Sequence, residues 1–243
     1  MQRSLIAAVV LLAIVASPTT ASASCAEQIA RTVQTYYDAV RDFSADFEQT
    51  TRSALFDSAG SDLAKPARGR VVLAKPGKMR WTYTEPEPSL VVSDGTTLWI
   101  YSPTLQEAQR LPVTEGFLTG AALQFLLGEG KLLESFEVSS EACPLEQASG
   151  DGQGTDSRNP ATAGKPRTVE LELVPREPTT YQRLGITARV DTGEVVATRV
   201  VDLLGNETRI SFSDMRRNGH PDKDEFTFVP GPGVEVIELS EAP

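Results

Sequence analysis

Between Lys75 and Pro103 bulky and polar residues alternate, interrupted by explicit turn residues. Met79, Trp81 and Tyr83 alternate with Arg80, Thr82 and Thr84, which sends the large groups to one face of a strand and the polar ones to the other. Glu85-Pro86-Glu87-Pro88 stops that strand, because two prolines remove hydrogen-bond donors and fix φ. Ser89 to Ser93 resumes extended structure, and Asp94-Gly95 supplies the positive-φ position a tight hairpin needs. Thr97 to Tyr101, β-branched and aromatic, makes a third strand. The alternation leaves the face of Trp99 unassigned relative to Leu98 and Ile100.

Upstream, Ile29, Val33, Tyr36, Tyr37 and Val40 fall on one side of an amphipathic helix predicted from Ala26 to about Arg41. A long strand follows, with Phe43, Ala45 and Phe47 on one face and Ser44, Asp46 and Glu48 on the other. Leu55 to Arg68 reads as loop and Gly69 to Ala74 as strand. Phe117, Leu118, Ala121, Ala122, Phe125 and Leu126 form an apolar stripe on a second predicted helix, Gly116 to Leu127, ended by Gly128 and Gly130. Leu145 to Pro166 is polar, Gly-rich and without period, a solvated loop insertion. Five extended runs follow: Thr168–Val174, Leu184–Val190, Val195–Asp202, Glu207–Ser213 and Glu225–Val229. A last one, Val234–Glu238, is a candidate to close the sheet. Many short strands at regular spacing predict an antiparallel sheet, barrel or sandwich, and the lack of βαβ alternation excludes a parallel α/β fold.

The first 23 residues have the anatomy of a secretory signal: Arg3, an apolar run from Leu5 to Val15, and Ala21-Ser22-Ala23 as cleavage site. Cleavage after Ala23 removes 23 of 243 residues and leaves 220, which suits one domain from 24 to 243. Arg3 is the only charge lost, so the formal net charge goes from −10 to −11. So acidic a chain repels polyanions, and nucleic acid is not an expected partner. Cys25 and Cys143 are the two cysteines, and in an oxidising compartment they are expected to pair. The alternative, lipidation of Cys25 after Ser22-Ala23-Ser24, lacks the Leu that a lipobox carries where Ser22 stands.

No catalytic constellation is visible. His220, the one histidine, sits in the polar turn Asn218-Gly219-His220-Pro221-Asp222, where solvation is the ordinary reading. There is no G-x-S-x-G, H-E-x-x-H, C-x-x-C or phosphate-cradling glycine loop. Neither Asp222 with Asp224 nor the stretch Asp151 to Asp156 keeps the spacing of a calcium loop. No enzyme, no metal and no cofactor is expected.

The run Val92-Ser93-Asp94-Gly95-Thr96-Thr97-Leu98-Trp99-Ile100-Tyr101-Ser102-Pro103 resembles the signature of the LolA family of periplasmic lipoprotein carriers. Phe43-Ser-Ala-Asp-Phe47-Glu-Gln49 and Phe226-Thr-Phe228-Val-Pro230 extend the likeness over most of the mature chain. The resemblance implies an incomplete, strongly curved antiparallel β-barrel covered by a helical lid. It implies a periplasmic carrier that takes acylated lipoproteins from an inner-membrane ABC transporter to an outer-membrane acceptor, as a monomer making transient membrane-protein contacts. A related lipid- or glycolipid-binding module of another envelope system is the alternative. By the same resemblance Phe43, Phe47, Met79, Trp81 and Tyr83 are candidates for the acyl-contacting wall. Phe117, Leu118, Ala121, Phe125 and Leu126 are candidates for the lid. Ordinary core packing is the competing reading for each. The family's lid latch is an Arg before the turn proline; here that position is Lys75, before Pro76, and lysine lacks the planar guanidinium fork. Mature protein purified from the cell envelope should begin at Ser24, with both cysteines resisting alkylation until reduced. A glyceryl-acyl group on Cys25 would contradict this.

Overall fold

The computed structural model describes residues 24–55, 65–113, 130–142 and 167–239. The predicted signal, the second helix with Phe117, Leu118, Ala121, Phe125 and Leu126, Cys143, and the loop insertion lie outside the described residues.

The first element, α1 (Cys25–Asp38), starts at a capping box in which the Ser24 hydroxyl accepts from Glu27 N and the Glu27 side chain accepts from Ser24 N. Its apolar stripe, Ile29, Val33 and Tyr37, is buried. The helix ends three residues earlier than the hydrophobic period suggests, and Val40 follows the cap with its N–H on the Tyr37 carbonyl. The cause is remote in sequence: Asn218 accepts from Arg41 N (2.8 Å) and donates to the Ala39 carbonyl (3.3 Å), pulling the chain out of the helix.

The strands of the described residues form one sheet. Six strands precede a gap, namely β1 (Asp42–Arg52), β2 (Ala67–Ala74), β3 (Lys78–Glu85), β4 (Ser89–Asp94), β5 (Thr97–Ser102) and β6 (Glu107–Pro112). A short helix α2 (Leu132–Ser135) then leads into β7 (Phe136–Ser139), β8 (Thr168–Pro175), β9 (Tyr181–Arg189), β10 (Val195–Asp202), β11 (Glu207–Arg217) and β12 (Glu235–Glu238). Their order across the sheet is β12-β6-β5-β4-β3-β2-β1-β11-β10-β9-β8-β7. The sheet is curved and open: β12 and β7 are its two edges. Every pairing is antiparallel except that of β12, which lies parallel to β6. Val234–Glu238 therefore extends one edge instead of closing the sheet.

Bulges supply the curvature. Register slips between Ser44 and Asp46 opposite β11, where Asp214 has φ 48°, and between Arg68 and Gly69 opposite β3. At Gly69 the backbones approach so closely that an added Cβ would fall on the Thr82 carbonyl oxygen, with the Phe47 ring packed over the gap.

One expected strand is absent. Glu225–Val229 lies in a 3-10 turn (Lys223–Phe226) and an irregular strap, not in the sheet. Apolar periodicity misled here because Phe226 and Phe228 pack from outside. Phe226 is buried, the turn lies against β3 and β4, and the Phe228 ring sits 5.4 Å from Trp99 and 5.0 Å from Tyr101. Trp99 thus belongs to the outer face, with Arg110 over its ring at 5.5 Å, and Leu98 to the inner one.

Replacing Gly69 with Ala forces β2 away from β3 and should lower stability to urea by roughly 3 kcal/mol, the upper range for overpacking. A loss within the scatter of ordinary surface substitutions would count against this account of the curvature.

Candidate functional site

The face of the sheet that carries α1 is the inner one. Its residues fall into rows across neighbouring strands. Phe43, Leu73, Met79, Ser93, Leu98 and Leu111 are successive register partners from β1 to β6. The next row is Ala45, Val71, Trp81, Val91, Ile100 and Gln109. A third joins Phe212, Phe47, Gly69, Tyr83 and Ser89.

Four expected wall residues are buried in the core: Phe43 3%, Phe47 3%, Met79 4% and Trp81 7% exposed. Phe47 is their hub, edge-on to Trp81 at 4.9 Å and to Tyr83 at 5.0 Å, while Phe43 meets Phe212 edge-on at 5.9 Å. Tyr83 is half-buried and donates its hydroxyl to Gln49 Oε1 at 3.1 Å; desolvation pushes its pKa up. The structure thus brings all five together on one face. Sequence reasoning missed the continuation of that face toward β6, where Val91 and Leu111 are half-buried and Ile100 is 37% exposed. The period-two pattern of Leu98 and Ile100 around Trp99 was the available signal.

Where β1, β2 and β11 meet the end of α1, the face is stoppered. Lys75 Nζ donates to the Tyr37 carbonyl at 2.6 Å, in the last turn of α1. A cation there gives the Tyr37 carbonyl, which also accepts from Val40 N, a charged donor and opposes the negative end of the helix dipole. Partial burial lowers the Lys75 pKa, with Asp38 opposing that shift. Beside it the Asp42 carboxylate accepts from the backbone N–H of Gly219 (2.6 Å) and of His220 (3.2 Å), fixing the start of the C-terminal strap. Arg68, Arg70 and Arg80, other conceivable latches, all point to the outer face. They are paired there with Glu48 and Glu85, with Asp46, and with the Glu225 carbonyl.

A groove of about 630 Å³ also lies on that outer face, lined by Asp46, Glu48, Arg68, Arg70, Thr82 and Ser211 among others. Ion pairs of Arg68 with Glu48 and Arg70 with Asp46 border it beside Phe47, Gly69 and Phe212. Cys25 is buried at the start of α1, and its expected partner Cys143 is outside the described residues. Among the described residues no three His, Cys, Asp or Glu side chains converge as metal ligands, and no helix is long and apolar enough to cross a membrane.

Among the described residues the fold is thus an open curved sheet whose inner face is apolar, with α1 packed against part of it. Residues 38–147 match the family model described as "Outer membrane lipoprotein carrier protein LolA". The outer-membrane lipoprotein carrier protein of Chromobacterium violaceum is 31% identical over 194 residues, 80% of each chain. That of Cupriavidus necator is 28% identical over 238 residues, 97% of this chain and 98% of its own. The chain belongs to the LolA family, whose members are carriers and not enzymes. The crystal structure of an uncharacterized conserved protein from Thermus thermophilus shares the fold, with a TM-score of 0.51 at 10% identity over 89% of this chain and 100% of that one.

Lys75→Met removes a charge-assisted hydrogen bond and leaves the Tyr37 carbonyl without its cation. It should cost about 1.5–3 kcal/mol and speed amide exchange at Ala39 and Val40, whereas Lys75→Arg should retain most of both. Equal exchange in Met and Arg variants would refute the anchoring role.

Proposed function

We propose that this chain is a periplasmic carrier that shields lipoprotein acyl chains, receiving lipoproteins from an inner-membrane ABC transporter and delivering them to an outer-membrane acceptor. The observation that carries the reading is the surplus of apolar inner face, from Trp81 through Val91 and Ile100 to Leu111, in a member of this family. Each methylene left in water costs about 0.8 kcal/mol, so anchored chains leave a bilayer only when an equivalent apolar surface receives them. Phe43, Phe47, Met79, Trp81 and Tyr83 form the wall in this proposal. Phe117, Leu118, Ala121, Phe125 and Leu126 form the lid, Lys75 holds the end of α1, and Cys25 pairs with Cys143. Export with cleavage after Ala23 puts the monomer in the periplasm. A net charge of −11 after loss of Arg3 keeps the carrier from lingering on anionic leaflets.

The two tryptophans make the test direct, since Trp81 is on the wall and Trp99 lies outside under Phe228. In a Trp99→Phe variant, a synthetic triacylated lipopeptide should shift and intensify the remaining emission in a saturable way. In Trp81→Phe the same titration should leave the spectrum flat. A response carried by Trp99 alone would place the ligand elsewhere.

A further inference from the structure

The inner face changes character along the strands as well as across them. On β1 the inward residues run Phe43, Ala45, Phe47, Gln49, Thr51, and their burial falls in step: the first three are buried, Gln49 is half-buried and Thr51 exposed. On β11 Phe43 faces Arg217, and Phe47, Gln49 and Thr51 face Phe212, Ile210 and Thr208. On β3 it runs from buried Met79 and Trp81 to half-buried Tyr83, and on β4 from buried Ser93 to half-buried Val91 and Ser89. Hydrophobic rows therefore lie next to the stopper formed by Lys75 and Asp42, and a margin of amides and hydroxyls lies at the far end. Within that margin Tyr83 donates to Gln49, and the Thr51 and Thr208 hydroxyls meet at 3.4 Å.

A trough graded in this way matches a molecule graded in the same way. We infer that the acyl anchor lies along the strands with its chain ends toward the Trp81–Leu98 rows and its ester- and amide-bearing glyceryl-cysteine head at the Gln49–Tyr83–Thr51 margin. This rests on the carrier reading and adds the direction of the ligand. Hydrocarbon placed the other way would meet the amide and hydroxyl groups of the margin, and ester carbonyls would be buried among rows whose side-chain donors are few: Ser93, the Trp81 indole N–H, and Gln109, whose amide donates to Glu107. Ser93 is already engaged, donating to the Gly77 carbonyl and accepting from Gly95 N, and an unmatched buried polar group is costly. At the margin Gln49 accepts through Oε1 and has an amide NH₂ to offer an ester carbonyl. The peptide that follows the lipidated cysteine then leaves at the exposed end, past Thr51, so the soluble part of the cargo stays in water.

The test uses the full mature chain and two triacylated lipopeptides, one with a diazirine at the end of an acyl chain and one with it beside the glycerol. Photolabelling of the first should map to Trp81, Val91 and Leu98, and of the second to Gln49, Thr51 and Ser89. Exchanged or identical maps would overturn the orientation while leaving the carrier reading intact. Labelling by neither probe would overturn the carrier reading itself. Gln49→Leu should weaken binding of the lipopeptide about fivefold, the factor for one hydrogen bond, and leave binding of a plain alkane probe unchanged. Equal loss for both ligands would overturn the head-group role.

Discussion

Among the described residues, a twelve-stranded sheet presents a wider apolar face than α1 alone can cover, and that mismatch governs how they pack. At about 4.8 Å per strand the sheet spans on the order of 50 Å, whereas the 14 residues of α1 reach only about 21 Å. The helix packs over one side, with Tyr37 accepting from Val195 N of β10, Tyr36 donating to Glu194, and Gly193 held against the Thr32 backbone. Gly193 has φ +79°, and a Cβ there would lie 2.5 Å from the Thr32 carbonyl oxygen, so this approach needs glycine. The β3–β6 side receives none of those contacts. In the carrier we propose, that part of the inner face is where lid and cargo meet the sheet.

The same economy explains the outer face. An antiparallel sheet with one solvated side is normally polar there, and β1, β2 and β8–β11 obey this with ion pairs such as Arg199 with Glu170, Glu172 and Glu207. Under the C-terminal strap the outer face instead carries buried Val92 and Ala108 with Trp99 and Tyr101, and Phe226 and Phe228 complete it. The strap braces the outer side of the half whose inner side α1 leaves uncovered. It is pinned at one end by Asp42 and at the other by the parallel pairing of β12 with β6.

Local alternation made much of this legible. Phe43, Ala45 and Phe47, and likewise Met79, Trp81 and Tyr83, sit on one face as their spacing requires, and the Glu85–Pro88 and Asp94-Gly95 breaks fall between strands. What the chain did not disclose depends on partners distant in sequence. Asn218, nearly 180 residues away, decides where α1 ends, and no propensity along α1 could say so. Phe226 and Phe228 look like strand residues because alternation records only that a residue is buried, not which layer buries it. The direction of β12 was equally invisible, since a four-residue edge strand pairs mainly by backbone, here with one exposed ion pair, Arg110 to Glu238. For Lys75 the residue type announced a cation at a turn, but its acceptor, the Tyr37 carbonyl, is set by the tertiary approach of α1 to β2.

The central claim is that the inner face beyond α1 accommodates acyl chains and releases them from a bilayer. Native mass spectrometry of the mature protein mixed with a triacylated lipoprotein tests it most directly. The expected result is a soluble one-to-one complex that is lost when the lipoprotein is deacylated. A complex that survives deacylation, or the absence of any complex with the acylated form, would contradict it.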